Sequence, residues 1–88
     1  MEKIDTIITE WINEDGKKLV KNVEFANFST ALKFLNQVGE VAEKLKHHPD
    51  LYLYNYKFVS ITLSTHDKGV LTEKDFELAQ NIDLIPLL

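Results

Sequence analysis

The spacing of hydrophobic positions along the chain predicts helices at several points. A short one is indicated near the beginning by apolar side chains at i, i+3, i+4 and i+7: Ile4, Ile7, Ile8 and Trp11. The strongest pattern covers residues 27–46, with Asn27 as N-cap and one apolar stripe: Phe28, Ala31, Leu32, Leu35, Val38, Ala42 and Leu45. Gly39 interrupts this helix and indicates close approach by another backbone, either within the subunit or across an interface. We expect Pro49 to end it, because proline disfavours the helical conformation at His48.

Two hairpins are predicted between the helices. Asp15 and Gly16 tolerate positive φ, so they predict a two-residue turn between a short strand and a longer one. Lys21 shares the apolar face of that longer strand, which leaves a bulge or an open edge as alternatives. Residues 51–54 and 58–64 predict the second hairpin, since apolar and polar side chains alternate in its second strand.

A final helix begins at Thr72, with Asp75 three residues later as the partner in a capping box. Its predicted buried stripe is Phe76, Ala79 and Ile82. The order α-β-β-α-β-β-α predicts an α+β fold, a two-layer sandwich in which a four-stranded antiparallel sheet carries helices on one face. A chain of 88 residues is long enough for one small domain, so we expect residues 1–88 to form it.

Charge and composition exclude several classes of function. The 14 acidic residues exceed the 10 basic ones, which are all lysine, so direct binding to nucleic acid is not expected. No apolar run approaches the ~20 residues that span a membrane, and the first residues are acidic where a signal peptide begins with basic ones. The chain has no cysteine, which rules out disulfides and thiolate ligands. A cytoplasmic protein is the expectation.

The candidate chemistry lies in the histidines, which number three: His47, His48 and His66. Imidazole both gives and takes protons near neutral pH, so their concentration in two short segments indicates a proton-transfer site. Glu43 precedes His47 by one helical turn and could hydrogen-bond its ring. With Asp67, the same residues could instead bind zinc, but adjacent residues at a helix end point about 100° apart and would seldom share one ion. No metal is therefore expected.

The segment E-x-x-x-H-H-P at residues 43–49, the aromatic Tyr56, and the run 61–66 ending in Thr-His resemble the pterin-4a-carbinolamine dehydratases. The resemblance extends over nearly the whole chain. It implies dehydration of a 4a-hydroxytetrahydropterin to the quinonoid dihydropterin and water, in tetrahydrobiopterin recycling. It also implies that no cofactor is needed and that the subunits form homodimers or homotetramers.

The resemblance further implies which residues form the site. The catalytic residues are His47, His48 and His66. We expect one of His47 and His48 to hold the pterin or deprotonate it and His66 to be the acid that protonates the leaving oxygen, or the reverse. Which ring does which is open. The substrate-binding residues are Glu43, Lys46, Pro49, Ser64, Thr65, Asp67 and Asp75. Members of the family can also serve as dimerisation partners of a transcription factor, so a non-enzymatic interaction module acting through the helical surface is the alternative.

Overall fold

The computed structural model describes residues 11–65 and 67–86, and the backbone of residues 7–8. Within these residues, one antiparallel sheet contains five strands: β1 (Ile7–Ile8), β2 (Ile12–Glu14), β3 (Lys18–Glu24), β4 (Asp50–Tyr54) and β5 (Phe58–Leu63). β1 and β2 both pair with β3, which pairs with β5, and β4 forms the far edge. The sheet is therefore four strands wide, and the predicted α+β class is confirmed.

The first predicted helix is wrong where the structure describes it. Ile7 and Ile8 form β1, and they pair with Glu24 and Val23 of β3. Ile4 lies outside the described residues. The apolar spacing that suggests a helix is also compatible with a short edge strand, and hydrogen bonding to β3 decides between the two.

Two helices, α1 (Phe28–Leu45) and α2 (Glu73–Asp83), pack on the sheet. Asn27 caps α1 as predicted, because its side-chain oxygen accepts a hydrogen bond from the Thr30 N–H at 2.9 Å. The core between the two layers contains apolar side chains of both helices, of β3 and β5, and of the segment after β3: Leu19, Val23, Phe25, Ala31, Phe34, Val38, Val59, Ile61, Leu63, Leu78, Ala79 and Ile82. No helix in the described part of the chain is long and apolar enough to cross a membrane.

The buried faces of the helices differ from the predicted stripes at five apolar positions. Phe28 and Leu32 on α1 and Phe76 on α2 are exposed, whereas Phe34 on α1 and Leu78 on α2 are buried without having been predicted. Packing against the sheet and the other helix decides which side chains are buried, and the periodicity of the sequence does not contain that information. An added Cβ at Gly39 would meet no heavy atom within 4 Å, so the close approach predicted there does not occur inside the described part of the chain.

The β2–β3 turn has the predicted conformation but one extra residue. Asp15 and Gly16 take positive φ values of 56° and 70°. The register pairs Glu14 with Lys18, so three residues rather than two lie in the loop. The second hairpin turns at residues 55–57, where the sequence predicts it.

Lys21 causes no bulge in β3 against β5, since the register is continuous from Leu19 to Glu24. Its side chain lies on the buried face, and its ammonium contacts the Asp83 carboxylate at 2.7 Å. The Trp11 indole N–H donates to the same carboxylate at 3.0 Å, and the ammonium lies 5.5 Å from the Trp11 ring centre. The predicted bulge is therefore not formed between β3 and β5. On the opposite side of β3, Lys21 lies between the residues that pair with β2 (18–20) and those that pair with β1 (23–24), so the described pairings leave an open edge at this position. The carboxylate at the end of α2 compensates the buried charge.

Candidate active site

The site begins where α1 ends. The helix stops at Leu45, and Lys46 adopts a left-handed conformation with φ of 55°. The His47 N–H then donates back to the Ala42 carbonyl at 3.1 Å, which closes the helix end. Pro49 lies three residues beyond Lys46, so the prediction that proline ends the helix is wrong. Because the chain leaves the helix at Lys46, the 3.6-residue spacing of α1 does not give the directions of the His47 and His48 side chains.

The left-handed turn changes the partner of Glu43. Its carboxylate contacts Nε2 of His48 at 2.7 Å, and the predicted contact with His47 is not formed. The side chains of Glu43 and His48 are 76% and 65% exposed, so water competes for both groups. Such a pair contributes little to stability.

His47 turns inward instead, toward the first turn of α2. Its Nε2 lies 2.6 Å from Oδ1 of Asp75, a residue with no exposed side-chain surface, and the ring itself is 13% exposed. The other carboxylate oxygen, Oδ2, accepts hydrogen bonds from the Thr72 N–H at 2.9 Å and the Thr65 hydroxyl at 2.7 Å. Asp75 therefore completes the predicted capping box of α2 and orients His47 at the same time.

The surroundings of Asp75 keep its carboxyl ionised. Burial alone would raise its pKa, but hydrogen bonds from His47, Thr72 and Thr65, together with the charge of a protonated His47, lower the pKa below its ordinary value. An ionised carboxylate only accepts hydrogen bonds, so the short contact requires a proton on Nε2 of His47. In the neutral ring, Nδ1 is then the nitrogen with an available lone pair.

His47 lines a cavity of about 360 Å³ with five other residues: Lys46, His48, Thr65, Asp67 and Lys74. All except Lys74 are predicted site residues. Lys74 is an exposed side chain on the first turn of α2, and no periodicity or motif marks it. Only its position next to Asp75 in the sequence could have indicated that Lys74 belongs to the site.

A second cavity, of about 410 Å³, adjoins the first. The two share Thr65, Asp67 and Lys74, and the second extends to Lys68, Thr72 and Glu73. Both lie beside the N-terminal end of α2.

The remaining predicted site residues lie elsewhere. Glu43 and Pro49 line a separate cleft of about 620 Å³ against α1, which meets the first cavity at His48. Ser64 is half-buried and is not among the residues that line these cavities. His66 lies outside the described residues. Among the residues that are described, no group of three or more histidines and carboxylates is arranged to bind a metal ion.

The profile of the family described as "Pterin 4 alpha carbinolamine dehydratase" matches residues 1–85. The chain belongs to the pterin-4a-carbinolamine dehydratase family. A protein of Metallosphaera sedula named "Putative pterin-4-alpha-carbinolamine dehydratase" is 46% identical over 76 residues, which cover 86% of this chain and 77% of the relative. A protein of Sulfolobus acidocaldarius with the same name is 44% identical over 78 residues, covering 89% of this chain and 84% of the relative.

Two solved structures share the fold. A transcriptional coactivator/pterin dehydratase from Brucella melitensis superposes with a TM-score of 0.76 at 35% identity, covering 86% of this chain and 81% of the other. A pterin dehydratase-like protein identified as a RuBisCO assembly factor of the alpha-carboxysome has a TM-score of 0.69 at 21% identity, covering 85% and 87% of the two chains. The second comparison supports the fold alone.

Proposed function

We propose that the chain is a hydro-lyase that converts a 4a-hydroxytetrahydropterin to the quinonoid dihydropterin and water. The observation that carries the proposal is the contact between buried Asp75 and His47 at the wall of the first cavity. A histidine at a helix end is ordinarily a solvated cap. This one is almost buried, and its tautomer is set by a carboxylate from the other helix.

The chemistry needs two proton transfers. The N5–H proton leaves to a base, the N5–C4a double bond forms, the C4a–O bond breaks, and an acid protonates the departing oxygen to give water. In the proposal, Nδ1 of His47 accepts the N5 proton. The negative charge of Asp75 then stabilises the imidazolium that forms, and its hydrogen bond keeps the ring in place. The acid is one of the two remaining histidines, His48 or His66.

His48 has surroundings unlike those of His47. Its ring is exposed and its partner Glu43 is also exposed, so both groups are accessible to water. Both rings nevertheless line the first cavity. Two imidazoles with different environments at one cavity can divide acid and base roles between them.

The test is a stopped-flow measurement of 4a-hydroxytetrahydropterin dehydration with and without the protein. We expect the protein to accelerate the reaction, and His47→Ala to remove about 10²–10⁴-fold of that acceleration. His48→Ala and His66→Ala, assayed alongside, identify the acid by a loss of similar size. Gln80→Ala, an exposed substitution on α2, serves as the control and should match the wild type. The proposal fails if the wild type gives no acceleration or if His47→Ala retains it fully.

A second candidate function is an interaction role through the helical surface, in a homodimer, a homotetramer or a complex with another protein. It is supported by the exposed apolar side chains Phe28 and Leu32 on α1, and by the open space above Gly39 on the same helix. The Brucella relative is described as a transcriptional coactivator as well as a pterin dehydratase. Light scattering of the wild type and of Phe28→Ser/Leu32→Ser tests it, since loss of an assembly on substitution would support this surface. A wild-type monomer that also captures no partner would contradict it.

A further inference from the structure

Two threonine hydroxyls are linked to Oδ2 of Asp75, the carboxylate oxygen that does not contact His47. Oγ of Thr65 lies 2.7 Å from this oxygen and 2.7 Å from Oγ of Thr72, the N-cap of α2. Thr65 is only 8% exposed and Asp75 has no exposed surface, so water has little access to either. The capping of α2 accounts for the bond from the Thr72 N–H to Asp75, but it does not require the Thr65 hydroxyl.

The charge of Asp75 gives these hydrogen bonds a direction. An ionised carboxylate only accepts, so the single proton of the Thr65 hydroxyl must point at Oδ2. The Thr65 oxygen can then only accept from Thr72, whose hydroxyl proton points at Thr65. The bonds therefore run from Thr72 through Thr65 to Oδ2, while the Nε2–H of His47 donates to Oδ1. Consecutive hydrogen bonds of this kind polarise and strengthen one another.

The Thr65 hydroxyl fixes the orientation of the carboxylate. Two donors converge on Oδ2, the Thr65 hydroxyl at 2.7 Å and the Thr72 N–H at 2.9 Å, and this leaves Oδ1 for His47. Without the hydroxyl, the Thr72 N–H would be the one donor left of this pair, and the carboxylate would turn more easily about its Cβ–Cγ bond. The His47 ring would then be held less firmly, because its partner Oδ1 moves with the carboxylate.

The polar groups of Thr65 are largely used inside the protein. Thr65 lines both cavities, which agrees with the substrate-binding role that the family resemblance implies. Its hydroxyl proton, however, is taken by Asp75, and its carbonyl accepts from the N–H groups of Lys68 at 3.0 Å and Gly69 at 2.9 Å. The hydroxyl therefore cannot donate to a pterin without giving up its bond to Asp75.

We propose that Thr65 is a positioning residue whose hydroxyl holds the Asp75 carboxylate against His47, and that Thr72 positions the Thr65 hydroxyl in turn. Neither hydroxyl donates to the substrate, so Thr65 acts on the rate of proton transfer rather than on substrate binding. The kinetic part of this inference rests on the proposed function, because it requires His47 to be the base. The part that concerns the hydrogen bond of His47 does not.

The first measurement separates kcat from KM in the dehydration assay. Thr65→Val removes the hydroxyl, Thr65→Ser keeps it, and neither changes the backbone bonds of residue 65. We expect Thr65→Val to lower kcat by about ten-fold, the lower end of what a hydrogen bond to a charged group contributes. Its KM should stay within about three-fold of the wild type, and Thr65→Ser should restore most of kcat. Thr62→Val, the same change on the face of β5 turned away from the core, is the matched control and should match the wild type.

The second measurement does not depend on turnover. The Nε2–H of His47 donates to a buried carboxylate, so we expect a downfield ¹H NMR signal that exchanges slowly with water. Thr65→Val should increase this exchange rate by about ten-fold, whereas Thr65→Ser and Thr62→Val should leave it unchanged. Thr72→Val removes a donor one step further from His47 and should increase the rate by less. If Thr65→Val does not fold, Thr72→Val and Thr72→Ser provide the same comparison.

A folded Thr65→Val protein with the wild-type kcat and a raised KM would overturn the inference, because the hydroxyl would then act in substrate binding. Equal effects of Thr65→Val and Thr65→Ser would also overturn it, since the hydroxyl would not be the group responsible. If the wild type does not accelerate dehydration, the proposed function fails, and the exchange of the Nε2–H proton still decides whether Thr65 positions His47. A protein that dehydrates its substrate equally well without the Thr65 hydroxyl keeps the proposed function and loses this inference.

Discussion

Asp75→Asn is the sharpest perturbation that the site offers, because it changes one atom type without changing shape. The carboxylate uses Oδ1 for His47 and Oδ2 for Thr65 and Thr72. An amide has one oxygen and one NH₂ group. The Thr72 N–H needs the oxygen, so the NH₂ group must face Nε2 of His47. The ring then has to accept at Nε2 and carry its proton on Nδ1, the nitrogen proposed to act as the base.

The expected size of the effect follows from the contacts that are lost. Hydrogen bonds to a charged group contribute about 1.5–3 kcal/mol, and the amide replaces part of this, so we expect a loss of about 1–2 kcal/mol in the free energy of unfolding. The dehydration rate should fall further, by about 10²–10⁴-fold, since the base presents a proton instead of a lone pair. The stability loss alone would leave the variant folded at room temperature in a domain of ordinary stability.

Three measurements check this prediction: stopped-flow dehydration, urea unfolding followed by circular dichroism, and the histidine tautomer from ¹H–¹⁵N correlation spectra. Asp83→Asn is the matched control, being the same change eight residues further along α2, about 12 Å along the helix axis. It removes the negative charge that faces the Lys21 ammonium while keeping one acceptor oxygen, and it should lower stability by about 1 kcal/mol while leaving the rate unchanged. An Asp75→Asn protein that is folded and retains more than a third of the wild-type rate would refute the reasoning.

Acid unfolding provides a second check on Asp75. Because its folded-state pKa is lowered, its contribution to stability is fully present above the unfolded value of about 4. That contribution is lost as the pH falls through the lowered folded-state pKa. The stability difference between the wild type and Asp75→Asn should therefore be constant near neutral pH and shrink below about pH 4. A difference that grows on acidification would contradict the direction of the pKa shift.

Three further predictions concern other positions. Lys46→Gly should raise Tm by about 3–6 °C in a thermal scan, because glycine adopts the left-handed backbone conformation of residue 46 without the steric cost that lysine has there. Lys33→Gly, the same change within α1, should lower Tm. Glu43→Gln should change kcat/KM by less than about three-fold, since its histidine contact is exposed; a hundred-fold loss would show that the pair acts in catalysis. In urea unfolding, Lys21→Met should cost less than Asp83→Asn, because the half-exposed carboxylate can be rehydrated and the buried ammonium cannot; equal costs would contradict this.

The sequence predicts well what depends on neighbours along the chain. The Asn27 cap, the positions of the two hairpin turns, and the capping box of Thr72 and Asp75 all follow from residues a few positions apart, although the first turn has one residue more than predicted. The alternation in β5 likewise predicts its buried face. These signals are local, so they do not require knowledge of how the elements pack.

The wrong predictions concern places where the structure depends on a contact with a residue far along the chain, or on a backbone conformation that is unusual for the residue type. Ile7 and Ile8 join β3 across the sheet, which local periodicity cannot indicate. The predicted end of α1 near residue 46 is confirmed, but lysine is not a typical left-handed residue. Nothing at Lys46 therefore signals the left-handed turn that brings Glu43 to the second histidine. The contact of Asp75 with the first histidine spans 28 residues, and only the packing of α2 against the end of α1 produces it.

Because α2 contributes the carboxylate that fixes His47, the site exists only while that helix is docked. A carboxylate holds each end of the helix, Asp75 at its first turn and Asp83 at its last, and each binds a partner on a different element. If α2 detaches transiently while the sheet stays intact, the His47 ring loses its hydrogen bond to Asp75. The proposed reaction would then stop in a molecule whose sheet is still folded. Turnover would then measure the fraction of molecules with α2 closed, and amide hydrogen exchange in α2 should follow the loss of activity as denaturant is added.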